Sequence, residues 1–152
     1  MVMEHNRKTI LYVDDILYNL VKVKERLKPG YEVSIAQSVE KMFKILEHFH
    51  EIKQANPDLI LLDIKVPEMD GFEAIKELKN EERYSKIPII VLSSKHDKNT
   101  MITAMILGAA DFVAKPFSDS CLIERIEYQL DSDKYNIDKQ VIHAVDDNIR
   151  AQ

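Results

Sequence analysis

The chain of 152 residues contains no tryptophan, three glycines and one cysteine. Cys121 cannot form an internal disulfide, and the lack of a cysteine cluster excludes a thiolate zinc site, as is typical of proteins in a reducing cytoplasm. No apolar run reaches the roughly 18 residues of a membrane span, and no apolar signal-peptide segment follows the charged first residues. We therefore expect a soluble cytoplasmic protein, with Cys121 buried as a small apolar group.

The chain has no excess of basic residues, because 26 acidic residues outnumber 21 lysines and arginines for a formal net charge of -5. This balance does not favour direct binding to nucleic acid. The hydrophobic content of 45% over 152 residues suffices for one core but not for two full domains. We expect one domain over residues 8–131, followed by a linker or tail over residues 132–152.

Five short apolar runs have the length of β-strands. They cover residues 9–13, 32–36, 59–62, 87–92 and 112–114. Three of them contain consecutive apolar residues without alternation, which is typical of central strands that are covered on both faces. Parallel strands are the usual setting for this pattern.

The segments between these runs have apolar residues at helical spacing, as in Ile16, Leu20, Val23 and Leu27. The second segment covers residues 38–54, and the last helix is expected from about Asp119 to Leu130. Strands that alternate with helices predict an α/β fold: a doubly wound, five-stranded parallel sheet, (βα)5, with helices on both faces. His48 and His50 in the second segment do not share a helix face and are not expected to bind a metal.

Polar side chains stand where the predicted strands end. Asp14 and Asp15 follow the first strand, Asp63 the third, Ser93 ends the fourth, and Lys115 follows the fifth. In open α/β sheets, ligands bind at this edge. Clustered carboxylates repel one another unless a cation lies among them, and hard oxygen ligands suit Mg²⁺. One carboxylate would then be free to attack phosphorus, with a hydroxyl and an ammonium group binding the phosphoryl oxygens.

Each of these residues also has an ordinary explanation. The Asp14-Asp15 pair and Asp63 could cap turns or helices, Ser93-Ser94 could form a turn, and Lys115-Pro116 could be a solvated connection. Independent capping does not require all four features at successive strand ends, which favours a common site.

The motifs that carry these residues closely resemble the receiver domains of bacterial two-component systems. They are ILYVDD at 10–15, PDLILLD at 57–63, VPEMDG at 66–71, PIIVLS at 88–93 and GAADFVAKPF at 108–117. They occur in the family's order and span almost all of residues 8–130. The resemblance implies a flavodoxin-like receiver fold and a response regulator that is phosphorylated by a sensor histidine kinase or a phosphotransfer protein.

The resemblance also implies a role for each residue near the metal. Asp63 would be the phosphoacceptor. Asp15 and Asp63 would bind Mg²⁺ directly, together with the backbone carbonyl of Lys65, and Asp14 would act through a coordinated water. The receiver itself would not be an enzyme beyond slow self-catalysed phosphotransfer and dephosphorylation.

Three further residues would read out the phosphoryl group. By resemblance, Ser93 is the switch hydroxyl, Phe112 the aromatic residue whose rotamer follows it, and Lys115 the phosphate-binding cation. Core packing is an equally plain explanation for Phe112. The phosphorylated form would regulate a downstream protein or output domain, or a homodimer, through the face of the fourth helix, fifth strand and fifth helix.

Some positions are less usual. Family members use the positions occupied by Lys65 and Lys95 to tune the lifetime of the acyl phosphate, and both lysines either slow hydrolysis or simply extend into solvent. Gly71 would supply backbone freedom to the turn that leads into the third helix, and Gly108 would allow close packing before the fifth strand.

The tail contains an apparent repeat. Residues 141–148 (VIHAVDDN) resemble residues 9–16 (TILYVDDI) at an offset of 132 positions. Either the chain ends just inside a second receiver domain, or the match is a coincidence in a short tail.

Three alternatives differ in function. A receiver-like interaction module would signal without phosphate, but it would not need Asp14, Asp15, Asp63, Ser93 and Lys115 together. A phosphatase with an aspartyl-phosphate intermediate would typically carry an acid where Lys65 stands. A flavodoxin-like nucleotide-binding protein would need a glycine-rich phosphate loop, which the three glycines do not form.

Overall fold

The computed structural model describes residues 7–65, 70–95 and 97–131, of which residue 70 is described by its backbone alone. Strands and helices alternate through these residues, which confirms the predicted (βα)5 order. The elements are β1 (Thr9–Val13), α1 (Leu17–Leu27), β2 (Glu32–Ala36), α2 (Val39–Glu51), β3 (Leu59–Asp63), α3 (Asp70–Asn80), β4 (Ile89–Ser93), α4 (Lys98–Leu107), β5 (Asp111–Ala114) and α5 (Asp119–Leu130). The predictions about residues 132–152 lie outside the described part of the chain.

The strands form one parallel sheet in the order β2-β1-β3-β4-β5. The chain first winds from β1 outward to β2, then crosses back over β1 to β3 and continues to the other edge. The strand order therefore reverses between β1 and β3. A crevice forms at such a reversal beyond the carboxyl ends of the strands, and this is where α/β proteins bind ligands.

Two hydrophobic cores fill the two faces of the sheet. Along β1, Leu11 and Val13 pack on the face that α2, α3 and α4 cover, whereas Ile10 and Tyr12 pack on the face that α1 and α5 cover. The strands β3 and β4 alternate in the same way. Because successive strand residues point to opposite faces, a strand that is covered on both sides is apolar throughout. This explains the three continuous apolar runs.

The observed element boundaries differ from the predicted ones by a few residues. Strand β4 begins at Ile89 and not at residue 87, because Pro88 has no N–H to donate to a neighbouring strand. The carbonyl of Pro88 still accepts a hydrogen bond of 3.0 Å from the N–H of Ile60. Ser38 is the N-cap of α2, as its position before the second segment predicts, but the helix ends at Glu51 and not at residue 54.

The structure requires glycine at two positions, for a different reason at each. At Gly71, a Cβ atom would lie 2.6 Å from Cγ1 of Ile64, and its φ is not in the left-handed region. The predicted need for backbone freedom at Gly71 was therefore wrong. Glycine is needed there because α3 packs so closely against Ile64 that a Cβ atom would collide with its side chain. Gly108 does have a left-handed φ of 119° as the C-cap of α4, and a Cβ atom there would lie 2.8 Å from Cγ of Lys79.

Three smaller expectations can be compared with the structure. Cys121 is half-buried against the α1/α5 core, and not fully buried as predicted, because α5 presents it at the margin of that core. The side chains of His48 and His50 are exposed on α2. Of the helices in the described ranges, none combines the length and the apolar composition that a membrane span requires.

Candidate functional site

Three carboxylates meet at the carboxyl ends of β1 and β3. Asp14, Asp15 and Asp63 each offer an oxygen atom, and these atoms all lie within 4.8 Å of one another. Asp14 is buried, Asp15 is exposed, and Asp63 is intermediate as a whole residue although its side chain is only 5% exposed. The cluster lines a cavity of about 140 Å³, which also includes Val13, Gln37, Ser38, Val39, Lys65 and Gly71. The predicted acidic edge is therefore assembled at the reversal point of the sheet.

Asp14 is held by hydrogen bonds to both of its oxygen atoms. Oδ1 accepts from the backbone N–H of Ile16 at 2.9 Å. Oδ2 accepts from the Tyr12 hydroxyl at 2.9 Å, from Nδ2 of Asn19 at 3.2 Å and from the ammonium group of Lys115 at 3.4 Å. A buried charge requires such partners, since an unpaired carboxylate in the core is very costly. These donors leave Asp14 little capacity for a direct metal bond.

Tyr12 is a contributor to the site that the sequence analysis did not predict. It is fully buried, and burial, reinforced by the neighbouring Asp14 carboxylate, raises the pKa of its hydroxyl well above the usual range. The hydroxyl therefore remains a hydrogen-bond donor at any physiological pH. A signal was present in the sequence, because residues two apart in a strand lie on the same side and Tyr12 precedes Asp14 by two positions. Asn19, in the first turn of α1, was missed as well.

Asp63 forms a close ion pair with Lys115. The Lys115 ammonium lies 2.6 Å from Oδ1 of Asp63, whose side chain is only 5% exposed. Burial is the main reason why the pKa of Asp63 is raised. The charge of Asp14 raises it further, whereas Lys115 and Lys65 oppose the shift. Asp63 is thus an enclosed carboxylate whose charge depends on the cations around it.

Lys65 pairs with the third carboxylate. Its ammonium group contacts Oδ2 of Asp15, and the two side chains are 38% and 53% exposed. The hydrogen bond to Asp15 raises the pKa of Lys65. The two lysines therefore differ in setting: Lys115 is held inside the site by Asp14 and Asp63, whereas Lys65 lies across its solvent side.

Ser93 ends β4 and Phe112 lies within β5, and neither belongs to the acidic cluster. The Ser93 hydroxyl is fully buried, donates to the backbone carbonyl of Lys95 at 2.8 Å and accepts from the N–H of Lys95 at 3.0 Å. Phe112 is half-buried and packs against the core that α4 covers. Lys95 is exposed, and among the described residues it forms no ion pair with the three carboxylates. Ser93 thus lies at the carboxyl end of β4 and is hydrogen-bonded within its own loop, whereas Phe112 lies inside β5 opposite Val91, and the switch roles of both residues stay predictions.

The donor set fits a small divalent cation. Oxygen atoms on opposite sides of one Mg²⁺ lie about 4.2 Å apart, twice the Mg–O distance. This is the largest separation that two oxygen ligands of one Mg²⁺ have, and the carboxylate oxygens of the cluster lie within 4.8 Å of one another, close to that limit. The exposed position of Asp15 leaves room for the waters that Mg²⁺ usually keeps.

The strand order and an acidic cluster at the reversal point define a flavodoxin-like α/β protein with its polar site at the carboxyl edge. Residues 10–127 match the response regulator receiver domain, and the chain belongs to this family. It is thus a receiver domain of the kind found in two-component signalling, as the sequence analysis predicted.

Known proteins agree with this assignment. The chain is 40% identical over 125 residues to the probable transcriptional regulator ycf27 of Cyanophora paradoxa, covering 82% of this chain and 48% of that protein. It is 36% identical over 127 residues to the chemotaxis protein CheY of Bacillus subtilis, covering 80% of this chain and 96% of CheY. The Mn²⁺-bound form of the response regulator Rcp1 matches with a TM-score of 0.65 and 27% identity, over 80% of this chain and 92% of Rcp1. The chain therefore spans about half of the first relative and almost all of CheY.

Proposed function

We propose that Asp63 accepts a phosphoryl group from a sensor histidine kinase or a phosphotransfer protein in a Mg²⁺-dependent reaction. The observation that carries this proposal is the placement of Asp63 at 2.6 Å from the Lys115 ammonium, with Asp14 and Asp15 beside it. The acyl phosphate then shifts the surface of the domain and regulates a partner or output domain. Membership of the receiver family and the Mn²⁺-bound form of the related response regulator Rcp1 support a divalent cation in this chain.

The reaction is a transfer between two nucleophiles. A carboxylate oxygen of Asp63 attacks phosphorus, the new P–O bond forms, and the P–N bond of the donor's phosphohistidine breaks with its electron pair returning to the imidazole. The Lys115 ammonium is positioned to bind a phosphoryl oxygen once the P–O bond forms. The low exposure of Asp63 limits the access of water to the product.

The residues that would hold Mg²⁺ are Asp15, Asp63 and the backbone carbonyl of Lys65. The bound ion supplies positive charge to the carboxylates and the phosphoryl oxygens. Asp14 is better placed to act through a coordinated water, because four donors already occupy its oxygens. Its structural task is to hold the Lys115 ammonium between two carboxylates.

The switch would begin at Ser93. Its hydroxyl now bonds to the backbone of Lys95, so binding a phosphoryl oxygen requires this hydrogen bond to break and the loop after β4 to move. Phe112, on the neighbouring strand β5, would then change its packing against α4. The phosphoryl group thereby shifts a population between two loop arrangements.

A groove away from the acidic site would transmit the movement of Ser93 and Phe112 to a partner. The groove of α4, β5 and α5 is lined by exposed apolar side chains, namely Met101, Ile102, Met105 and Ile106, together with Phe112. At its margin, Arg125 donates two hydrogen bonds of 2.9 Å to Asp111. An output domain, a separate protein or a second copy of the chain would bind here.

A phosphorylation assay tests the proposal. The full chain is incubated with a small phosphodonor and Mg²⁺, and the intact mass is measured. We expect a gain of one phosphoryl mass that Asp63→Asn abolishes. Asp119→Asn removes a half-exposed carboxylate on α5 and keeps the gain. No gain in the parent chain would overturn the proposal and favour an interaction module that works without phosphate.

A turnover assay with a phosphomonoester separates a phosphoacceptor from a hydrolytic enzyme. Lys65 stands where phosphatases with an aspartyl-phosphate intermediate typically carry a second acid, and its ammonium is directed to Asp15. The domain therefore lacks a general acid for a leaving alcohol at this position, and we expect slow self-hydrolysis at most. Rapid turnover of a phosphomonoester would contradict this expectation.

A further inference from the structure

Among the three carboxylates, Asp15 is the one that a solvated cation can approach directly. Asp14 is buried and its oxygens accept four hydrogen bonds. Asp63 is enclosed and paired with Lys115. Asp15 is exposed, and the group on its carboxylate is the ammonium of Lys65.

We propose that Lys65 is an intramolecular competitor of the divalent cation for Asp15. Its ammonium neutralises the carboxylate that faces solvent and has to leave it when Mg²⁺ binds. This inference rests on the proposed function, because it concerns the metal that the function requires. Lys65 would thus set the Mg²⁺ affinity of the site without being needed for the phosphoryl transfer itself.

The charges around the cavity explain the direction of the effect. Three carboxylates and the ammonium groups of Lys65 and Lys115 together carry a net charge of about -1, and removal of Lys65 makes it about -2. A dication binds the more negative site more tightly, and it no longer has to displace a bound ammonium. Because Lys65 is partly exposed, water and salt weaken its effect, which limits the change to about tenfold.

The two lysines are not equivalent in this respect. Lys115 is 21% exposed and bridges Asp14 and Asp63, so its removal would leave two enclosed carboxylates unpaired. Lys65 has a long stem with a half-exposed partner, and its ammonium can move into solvent at low cost. The competitor is therefore the lysine that can be displaced.

Lys65 would contribute to the metal site through both its backbone and its side chain. In the proposed function its backbone carbonyl is a Mg²⁺ ligand, while its side chain occupies the neighbouring ligand Asp15. Once displaced from Asp15, the ammonium would be within reach of a phosphoryl group at the same edge. Metal binding would then free the lysine that the sequence analysis associated with the lifetime of the acyl phosphate.

Direct binding of Mg²⁺, without any phosphodonor, tests this inference. Isothermal titration calorimetry suits the chain, because it has no tryptophan whose fluorescence could report binding. Lys65→Met removes the charge and keeps an unbranched stem. Lys65→Arg keeps the charge, and Lys95→Met removes an equal charge from an exposed lysine that forms no ion pair with the three carboxylates in the described ranges.

We expect Lys65→Met to bind Mg²⁺ about tenfold more tightly than the parent, with Lys65→Arg and Lys95→Met within about twofold of it. Equal affinity of Lys65→Met and the parent would overturn the inference and leave the proposed function intact. An equal gain in Lys95→Met would also overturn it, since the effect would then come from net charge alone. If the parent chain did not bind Mg²⁺, the Mg²⁺ requirement in the proposed function would be overturned instead. Lys65→Gln repeats the test if the methionine variant does not fold.

Discussion

Lys115 reaches from the loop after β5 to Asp63 at the end of β3, and its ammonium lies 2.6 Å from one carboxylate oxygen. The same ammonium lies 3.4 Å from Asp14 at the end of β1. The β5–α5 loop is thereby tied to the two strands at which the sheet order reverses. This pair places a carboxylate in an enclosed position, where its charge costs the fold stability.

The first prediction concerns that cost. Burial raises the pKa of Asp63 in the folded chain above the ordinary value of 3.8, so its ionised form is less favourable there than in the unfolded chain. The penalty is complete above the folded pKa and absent below the unfolded one. In metal-free buffer at neutral pH, Asp63→Asn should therefore raise the melting temperature.

The pH dependence provides the check. Thermal unfolding of both chains is followed from neutral to acidic pH, and the advantage of Asp63→Asn should shrink as the pH falls through the folded pKa of Asp63. An advantage that grows on acidification would contradict the assigned direction of the pKa shift. Asp119→Asn, at a half-exposed ion pair, should show no comparable gain.

The second prediction concerns Tyr12. Tyr12→Phe removes the buried hydroxyl that donates to Asp14 at 2.9 Å. Hydrogen bonds to charged groups contribute about 1.5–3 kcal/mol, so the free energy of unfolding from urea titrations should fall by this amount. Tyr18→Phe is the matched control, because that side chain is 72% exposed and should lose almost nothing. Equal losses in both variants would show that the Tyr12 hydroxyl has no special role.

Much of the fold and of the acidic edge could be predicted from the sequence. Continuous apolar runs identified the central strands, and strand ends in a parallel sheet meet at one edge, which placed Asp14, Asp15 and Asp63 together. The hydrogen bond from Tyr12 could not be inferred with the same certainty, because the two-residue spacing places Tyr12 and Asp14 on one side of the strand but does not determine whether the hydroxyl reaches the carboxylate. The pairing of Lys65 with Asp15 likewise depends on the path of the chain after β3.

Local boundaries and packing were harder to predict for a similar reason. The start of α2 agrees with the sequence, because Ser38 could be recognised as a cap, whereas its end at Glu51 carries no such polar signal. The demand at Gly71 comes from Ile64, a tertiary neighbour, and no turn pattern in the sequence contains that information.

The third prediction follows from this close approach. In Gly71→Ala the new Cβ would lie 2.6 Å from Cγ1 of Ile64, which forces α3 away from the end of β3. Overpacking of this kind costs about 1–3 kcal/mol, which denaturant unfolding can measure. Gly30→Ala is the control, since a Cβ atom there meets nothing within 4 Å. If Gly71→Ala were as stable as Gly30→Ala, the contact with Ile64 would not constrain the helix.

The fourth prediction concerns the lifetime of the acyl phosphate. Lys65 already lies at the acidic edge, whereas the exposed Lys95 pairs with none of the three carboxylates in the described part of the chain. Loss of phosphoryl mass over time should therefore be faster in Lys65→Asn than in the parent, by about threefold or more, with a smaller change in Lys95→Ala. Unchanged rates in both variants would reject a role for these lysines in protecting the acyl phosphate.

The central claim is that Asp63 is the residue that receives phosphorus and that a divalent cation is required for it. After reaction with a small phosphodonor, borohydride reduces an aspartyl phosphate to homoserine, and peptide mass spectrometry then locates the changed residue. We expect conversion at Asp63 alone, and only when Mg²⁺ is present. Conversion at Asp14 or Asp15, or equal conversion at Asp63 in the presence of a chelator, would contradict the claim.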